Sequence, residues 1–228
     1  MRISTKAYNL SAAIFIAAEL SLAVIIQATS GRANSLISYF AVILALVFTL
    51  FRHTGAAKCP ISLVAMAATA CADLFLMVTV PQRPIVAMLF FSLVQAAYFL
   101  KIYLKTDDRG LRALHLFIRL FLLLTALIIT LTVLGEGCDF LAVISVLYFV
   151  NLVLNLIFSF FIRKRSLLFS LGLFFFLLCD VFVGFGMMEP YIPISEGSIA
   201  YFLANPGFNA AWLFYVPAQT LLALSSDI

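Results

Sequence analysis

Residues 166–188 read SLLFSLGLFFFLLCDVFVGFGMM, and Asp180 is the only charged side chain among them. A transmembrane helix needs about 20 consecutive, predominantly apolar residues, so this stretch predicts a helix that crosses a bilayer. The whole chain has the same character: 65% of its 228 residues are apolar, 11% are charged, and the mean hydropathy is +1.17. Soluble domains contain roughly 45–50% apolar and ~25% charged residues. The composition therefore indicates an integral membrane protein and excludes secreted, nucleic-acid-binding and intrinsically disordered classes.

Apolar runs of similar length occupy most of the chain. Lipid offers no hydrogen-bonding partners to the backbone, so such runs are helical. We predict an all-α bundle of eight transmembrane helices that forms a single integral membrane domain over residues 1–228. The first run is long for a signal peptide and carries Glu19, so we expect it to be a retained span. The predicted spans are 9–28, 36–52, 60–80, 84–104, 112–134, 139–160, 166–188 and 207–225.

Positive charges are distributed unevenly between the predicted connections. Of the 14 Lys and Arg residues, eleven lie at the N-terminus or close to the connections after the second, fourth and sixth spans. Arg32 and Arg83 lie on the opposite side, and Arg119 lies just inside the fifth span. Cytoplasmic loops carry the excess of Lys and Arg, so both termini are predicted to be cytoplasmic, in the cell membrane. The longest outward loop, residues 189–206, either rests at the membrane interface or covers a cavity from the outer leaflet.

Two predicted spans share a short pattern around an aspartate. The third contains CADLFL at residues 71–76, and the seventh contains LCDVFV at residues 178–183. At 1.5 Å per residue, Asp73 and Asp180 each lie roughly 20 Å from the start of their helix. The fourth and eighth spans carry Gln95 and Gln219. The pattern predicts a parallel duplication of a four-helix unit, with halves 1–110 and 111–228.

Polar side chains occur on one face of several predicted spans. A buried carboxyl costs about 2.5–3.5 kcal/mol on insertion scales, which makes two at matched depth candidates for function rather than simple clamps between helices. Polar faces point at one another or at water, so we predict a hydrated cavity inside the bundle. Asp73 and Asp180 are the candidate catalytic residues, with carboxyl groups predicted within about 10 Å of each other. Candidate substrate-binding residues are Gln95, Tyr98, Tyr148, Asn151, Asn155, Tyr215, Gln219 and Glu19, of which Glu19 is equally interpreted as a structural partner of another helix.

Other reactive residue types follow no catalytic pattern. His53, His115 and Arg119 lie near the predicted cytoplasmic boundary and are expected to be interfacial anchors. Four cysteines are scattered singly, which is typical of free thiols. No histidine lies at the depth of the two aspartates, so we expect no metal ion and no other cofactor.

Four short motifs carry a resemblance to a known family. Residues 72–76, Ala-Asp-Leu-Phe-Leu, look like Gly-Asp-x-x-Leu, and Phe91-x-x-x-Gln95-x-x-Tyr98 is similar to Phe-x-x-x-His-x-x-Tyr. Gly172 followed by Cys179-Asp180 resembles Gly…Ser-Asp, and Tyr215-x-x-Ala-Gln219 looks like Tyr-x-x-x-Gln. In this order they resemble the YhhN-like lysoplasmalogenase family of eight-span membrane proteins. The chain differs from the family pattern at Gln95, where the family has His, and at Ala72, where it has Gly.

The resemblance implies hydrolysis of the vinyl-ether bond of a lysoplasmalogen, which releases a fatty aldehyde. The implied partners are a lysophospholipid substrate within the bilayer and membrane lipids, with no nucleic acid. One alternative is a proton- or cation-coupled transporter, although a parallel repeat and the lack of Gly or Pro breaks at the aspartates disfavour it. Another is a catalytically inactive lipid-binding homologue, which Gln95 suggests.

Overall fold

The computed structural model describes residues 5–55, 60–162 and 167–225. Within these ranges the chain is helical and forms no strand. A π-helical turn, Leu74–Val78, continues the third helix, and a 3-10 turn, Gly135–Gly137, follows the fifth. The helices are α1 (Thr5–Ala28), α2 (Gly31–Gly55), α3 (Pro60–Asp73), α4 (Pro84–Lys105), α5 (Arg109–Leu134), α6 (Phe140–Ser159), α7 (Leu167–Met187), α8 (Ile199–Ala204) and α9 (Ala210–Leu224).

Seven helical segments in the described ranges are long and apolar enough to cross a membrane. They comprise α1, α2, α3 with its π turn, α4, α5 with its 3-10 turn, α6 and α7. Their outer surfaces are apolar: on α5, Phe117 is 68% exposed and Leu120 is 63% exposed. Such a surface is compatible with lipid and incompatible with water. The predicted all-α, membrane-embedded class is therefore confirmed.

The largest differences between the helix boundaries and the prediction lie in three places. α2 begins at Gly31, five residues earlier than predicted. The segment predicted as the eighth span contains α9, which has only 15 residues. The loop predicted over residues 189–206 contains the short helix α8, whose N-cap Ser198 accepts a hydrogen bond from the Tyr201 amide. α8 has only six residues, which is too short to stand out in the hydropathy pattern of the predicted loop.

Some residues of the orientation argument lie outside the described ranges. These are Arg2, Lys58 and residues 163–165, together with Cys59 of the thiol prediction. Cys71, Cys138 and Cys179 are free thiols, as expected.

Acidic residues in the connections cap the N-termini of two helices, α5 and α6. The Asp108 carboxylate accepts hydrogen bonds from the amides of Gly110 and Leu111 at the start of α5. Asp139 accepts from the Ala142 amide at the start of α6. An N-cap acceptor satisfies amides that have no partner within the helix, so these charges stabilise helix starts. Their position in the sequence is explained by capping rather than by catalysis.

The helices pack in two close pairs, α3 with α4 and α7 with α9. α2 packs against both α3 and α9, and α6 packs against both α7 and α4. α1 lies outside against α2 and α9, while α5 lies outside against α6. The buried core therefore lies between α2, α3, α4, α6, α7 and α9.

The α7–α9 pair approaches closely at Gly172. A Cβ atom at this position would lie 2.8 Å from Leu222 Cγ and 3.2 Å from the Leu222 backbone nitrogen. Helices in membranes associate largely through close packing, which small residues at the interface permit. Gly172 therefore allows α9 to sit against the middle of the bundle.

Both ends of α9 are attached to other helices. Near its start, the Gln27 side chain at the end of α1 donates a hydrogen bond to the Asn209 carbonyl, 2.9 Å away. At its end, the Arg52 guanidinium donates to the carbonyls of Ala223 and Leu224. Lys101 Nζ donates to the Ser225 carbonyl at 3.2 Å. Cations are favourable at a helix C-terminus, where the last carbonyls lack partners within the helix.

Two interruptions of regular helix lie close to the polar core residues. The π turn Leu74–Val78 begins directly after Asp73. Pro217 lies inside α9, between Tyr215 and Gln219. Single π turns occur frequently at functional sites, and an internal proline removes one backbone hydrogen bond. The sequence, which has no Gly or Pro next to Asp73, did not indicate the π turn.

Candidate functional site

Each of the two membrane-embedded aspartates accepts a hydrogen bond from a tyrosine. Asp73, the last residue of α3, is buried, and the Tyr215 hydroxyl of α9 donates to its Oδ2 at 2.6 Å. Asp180 of α7 is partly buried, and the Tyr148 hydroxyl of α6 donates to its Oδ2. Four different helices thus contribute one member each to two tyrosine–aspartate pairs.

The two pairs belong to one cluster. Phe91 of α4 packs at a ring-centroid distance of 5.9 Å from Tyr148 and 6.2 Å from Phe176. The Phe176 ring of α7 lies 5.5 Å from the Tyr215 ring. Aromatic side chains therefore form a continuous wall from one pair to the other.

An amide network connects α4, α6 and α5. Asn155 Nδ2 donates to both the backbone carbonyl and the Oε1 of Gln95, each at 2.9 Å. On its other side, Asn155 Oδ1 accepts from the Arg119 guanidinium at 2.7 Å, and Asn151 Oδ1 accepts from the same group. The network runs from α5 through α6 to α4.

Arg119 and His115 are buried in this network, so their interpretation as interfacial anchors is wrong. Arg119 is 6% exposed, and His115 is 2% exposed. Arg119 lies ten residues into α5, about 15 Å along the helix, which is too deep for its side chain to lie at the surface. Its guanidinium lies 4.4 Å from the centre of the Phe99 ring and 2.9 Å from His115 Nε2. The sequence did contain a signal for the burial of Arg119, because it is an arginine within an otherwise apolar run. Charged groups inside a membrane face the bundle interior.

Three of the predicted binding residues, Glu19, Tyr98 and Gln219, are buried without a hydrogen-bond partner for any side-chain polar atom. The Tyr98 hydroxyl has none, and neither the Oε1 nor the Nε2 of Gln219 has one. Buried polar groups in proteins are nearly always hydrogen-bonded, so exceptions deserve a functional explanation. Gln219 lies four residues after Tyr215, on the same face of α9. It therefore presents free donors and an acceptor near the Asp73 pair.

Glu19 is not brought to this cluster. It lines a groove between α1 and α9 together with Pro217 and Thr220. At 3.6 residues per turn, Pro217 and Thr220 lie roughly 100–160° around α9 from Tyr215 and Gln219. Glu19 thus contacts a face of α9 other than the one that carries the candidate site.

The predicted hydrated cavity between the aspartates stays a prediction. One groove in the described ranges lies between α1 and α9, and another lies between α3 and α4. The second is apolar and lined by residues such as Pro60, Val64 and Leu93. Neither groove is lined by Asp73 or Asp180.

The 189–206 loop is attached to the start of α6. The Tyr191 hydroxyl donates to both carboxylate oxygens of Asp139 at 3.0 Å. Partial burial, and then the neighbouring Asp139 carboxylate, raise the pKa of Tyr191. The phenol therefore remains protonated and keeps the loop connected to α6 across the neutral pH range.

Among the described residues, no group of three or more His, Cys, Asp or Glu side chains is arranged to hold a metal ion. Comparisons with known proteins add no identification: the chain matches no family model, no curated protein and no solved structure. The candidate site thus depends on its own geometry.

Proposed function

We propose that the protein is a membrane-embedded hydrolase that cleaves the vinyl-ether bond of a lysoplasmalogen or a related lysolipid ether. The observation that carries this proposal is the pair of carboxyls, Asp73 and Asp180, each held by a tyrosine in one buried cluster. Two like charges in a low-dielectric interior are costly, so the pair is suited to share one proton. One carboxylic acid beside one carboxylate is what this reaction needs.

The chemistry requires one proton donor and one base. The acid protonates the β-carbon of the vinyl ether, which gives an oxocarbenium ion that the remaining carboxylate stabilises. Water adds to the cationic carbon and gives its proton to that carboxylate. The hemiacetal then collapses: its hydroxyl proton passes to the first aspartate, the second aspartate gives its proton to the glycerol oxygen, and the bond between that oxygen and the former vinyl carbon breaks. The products are a fatty aldehyde and the glycerophospho alcohol. Proton release and uptake balance within the Asp73–Asp180 pair.

The surrounding residues fit the two ends of such a substrate. The free amide of Gln219 and the Tyr98 hydroxyl offer hydrogen bonds to water or to the polar end of the lipid. The wall formed by Phe91 and Phe176 offers apolar contact to the alkyl chain. The substrate-binding set proposed from sequence, without Glu19, is compatible with this arrangement.

The deciding experiment measures aldehyde release from a lysoplasmalogen by the purified protein in lipid vesicles. We expect turnover by the unaltered chain and a loss of at least a hundredfold in Asp73→Asn and in Asp180→Asn, because an amide neither donates the required proton nor carries the charge. Asp107→Asn, in the connection before α5, is the matched control and keeps full activity. Undiminished turnover in both core variants would refute the proposal.

We also propose that α9 is an eighth crossing and that both termini are cytoplasmic, in the plasma membrane. α9 is short, but its start contacts Gln27 at the end of α1 and its end contacts Arg52 near the end of α2. Arg52 also lies 4.9 Å from the centre of the Tyr8 ring, near the start of α1. These contacts favour a chain that begins and ends on one side of the membrane, the side that carries most Lys and Arg.

The packing also supports the proposed parallel repeat of four plus four crossings. If α2, α3 and α4 correspond to α6, α7 and α9, then the close pair α3–α4 corresponds to α7–α9. The contacts of α2 with α3 and α9 then correspond to those of α6 with α7 and α4. Duplication of a four-helix unit would explain both correspondences.

A coupled transporter is the second candidate, and the irregular backbone at the site favours it. The π turn after Asp73 and Pro217 in α9 are the kind of helix interruption that transporters use near their substrate sites. Uptake into vesicles that depends on a proton or cation gradient, without aldehyde release, would support the transporter. Lipid binding without turnover or uptake would support an inactive lipid-binding protein, which Gln95 in place of the family His suggests.

A further inference from the structure

Arg119 is a buried cation whose hydrogen-bond partners are all neutral. Its guanidinium donates to the side-chain oxygens of Asn151 and Asn155 and to Nε2 of His115. A guanidinium has donors only, so this His115 nitrogen accepts and carries no proton. No acidic side chain in the described ranges contacts Arg119. A cation inside a membrane is costly unless an opposite charge lies near it, so Arg119 calls for an anion within the bundle.

The position of Arg119 along α6 brings it close to one of the two aspartates. Tyr148, Asn151 and Asn155 follow one another at steps of three and four residues, so they share a face of α6. At 1.5 Å per residue, the two asparagines that bind Arg119 lie roughly 5 and 10 Å along the helix from Tyr148. Because Tyr148 donates to Asp180, the carboxyl of Asp180 lies next to the arginine network.

The contacts between α4 and α6 show the same neighbourhood. Phe91 of α4 lies 5.9 Å from Tyr148 between ring centroids, and Gln95 accepts from Asn155 at 2.9 Å. Phe91 and Gln95 are four residues apart and therefore neighbours on one face of α4. The arginine network and the Tyr148–Asp180 pair thus occupy adjacent turns of the same two helices.

The other buried cations lie further from the aspartates. Arg52 and Lys101 donate to carbonyls at the end of α9. The Ser225 carbonyl that Lys101 binds lies ten residues after Tyr215, roughly 15 Å along the helix from the residue that holds Asp73. Asp73 is 2% exposed, and the arginine network includes no residue of α3 or α9. A negative charge is therefore better placed on Asp180 than on Asp73.

We propose that Arg119 is the counter-charge of the aspartate pair and that it makes Asp180 the carboxylate, which leaves the shared proton on Asp73. One positive and one negative charge then balance inside the membrane, where the low dielectric lets them act on each other without direct contact. The catalytic consequence rests on the proposed hydrolase: Asp73 protonates the vinyl ether, and Asp180 stabilises the cation and takes the proton of water. Arg119 acts only through Asp180 and is a positioning residue.

Infrared absorption of the purified full-length chain in lipid vesicles tests this assignment, because a carboxylic acid and a carboxylate absorb in different bands. Labelling aspartate with carbon-13 separates the aspartate bands from those of Glu19 and the other glutamates. At neutral pH, we expect the carboxylic acid band of the unaltered chain to disappear in Asp73→Asn and to persist in Asp180→Asn.

Variants of Arg119 test the role of its charge. Arg119→Gln removes the cation, so Asp180 is expected to take up a proton and the aspartate carboxylic acid band to grow about twofold. Arg119→Lys keeps the cation and is expected to retain the band of the unaltered chain. Arg112→Gln is the matched control, because Arg112 binds the Thr106 carbonyl in the connection before α5. It should leave the band unchanged.

An unchanged band in Arg119→Gln would overturn the proposal, as would a band lost in Asp180→Asn and kept in Asp73→Asn. The two aspartate variants need no change at Arg119, so they decide the assignment even if Arg119→Gln does not fold. The measurement contains no substrate and is separate from the assay of the hydrolase. The expected bands without aldehyde release would refute the hydrolase alone, whereas aldehyde release with the opposite bands would overturn only this assignment.

Discussion

At the scale of single residues, the candidate site is defined by hydrogen bonds to charged or titratable groups. Tyr215 and Tyr148 hold the two carboxyls, while Asn155 joins Gln95 to Arg119. Such bonds are worth more than neutral ones, because the interior offers no water to replace a lost partner. Removing a single hydroxyl should therefore alter the chemistry of an aspartate without altering the packing around it.

The Tyr215→Phe variant tests this at Asp73. The ring and its contact with Phe176 are retained, whereas the 2.6 Å hydrogen bond to Asp73 is lost. Hydrogen bonds to charged groups contribute about 1.5–3 kcal/mol, and we expect a fall of roughly ten- to a hundredfold in the rate of aldehyde release. Tyr103→Phe is the control. Tyr103 lies near the C-terminal end of α4, and loss of its hydroxyl should leave the rate unchanged. Equal rates in the unaltered chain and Tyr215→Phe would show that the Tyr215 hydroxyl does not contribute to the reaction.

At the scale of helices, α9 is held by close packing along its length and by cations at its end. Gly172 of α7 permits the approach, and Lys101 binds the Ser225 carbonyl and the Ser62 hydroxyl. Because α9 carries Tyr215 and Gln219, these contacts determine where the site residues lie. Changes at this scale are expected to reduce stability first and activity as a consequence.

A side chain at Gly172 should force α7 and α9 apart. In Gly172→Val, the Cβ alone would approach Leu222 Cγ to 2.8 Å, so the helices must shift. Overpacking of this kind costs about 1–3 kcal/mol, which should lower the Tm measured in detergent by several degrees. Gly184→Val is the matched control on the same helix, because a Cβ there meets nothing within 4 Å. A Tm change of the same size in both variants would contradict the close-approach argument.

Loss of the cation at the end of α9 should loosen that end. Lys101→Met keeps an apolar stem of similar length but removes the donor to the Ser225 carbonyl. We expect faster hydrogen–deuterium exchange in the last turn of α9 and a stability loss of about 1–3 kcal/mol, typical of a buried acceptor left unpaired. Lys105→Met, one turn further along α4 and exposed, should leave the exchange of α9 unchanged.

At the scale of the whole molecule, the proposed topology makes the two sides of the membrane distinguishable. The connection around Asp107 lies on the proposed cytoplasmic side, while Ser195 lies in the proposed outward loop. Positive side chains near the first of these connections favour that assignment. Four of the long helices precede Asp107 and seven precede Ser195, so the two positions are expected on opposite sides of the membrane.

Single cysteines introduced into a chain without its four native cysteines test this topology. In intact cells, we expect Ser195→Cys to react with a membrane-impermeant maleimide and Asp107→Cys to react only after the cells are opened. The reason is that the reagent does not cross the hydrocarbon region. Labelling of Asp107→Cys alone from outside would reverse the orientation, and labelling of both from outside would contradict the three crossings, α5, α6 and α7, that separate the two positions.

The sequence by itself determined the class of the protein, because runs of about 20 apolar residues have no stable form other than helices in lipid. Seven of the predicted spans correspond to long helices, and the aspartates were recognisable because charge within such runs is rare. Their tyrosine partners were named as binding residues, but the sequence could not pair them.

Only the tertiary structure decided which polar residues meet. The contact of Tyr215 with Asp73 joins residues 142 positions apart, and it depends on α9 packing against α7 through Gly172. Periodicity places a side chain on a face of its own helix, whereas the neighbouring helix determines what that face touches. For this reason Arg119 entered the core network, and Glu19 came to lie in a separate groove.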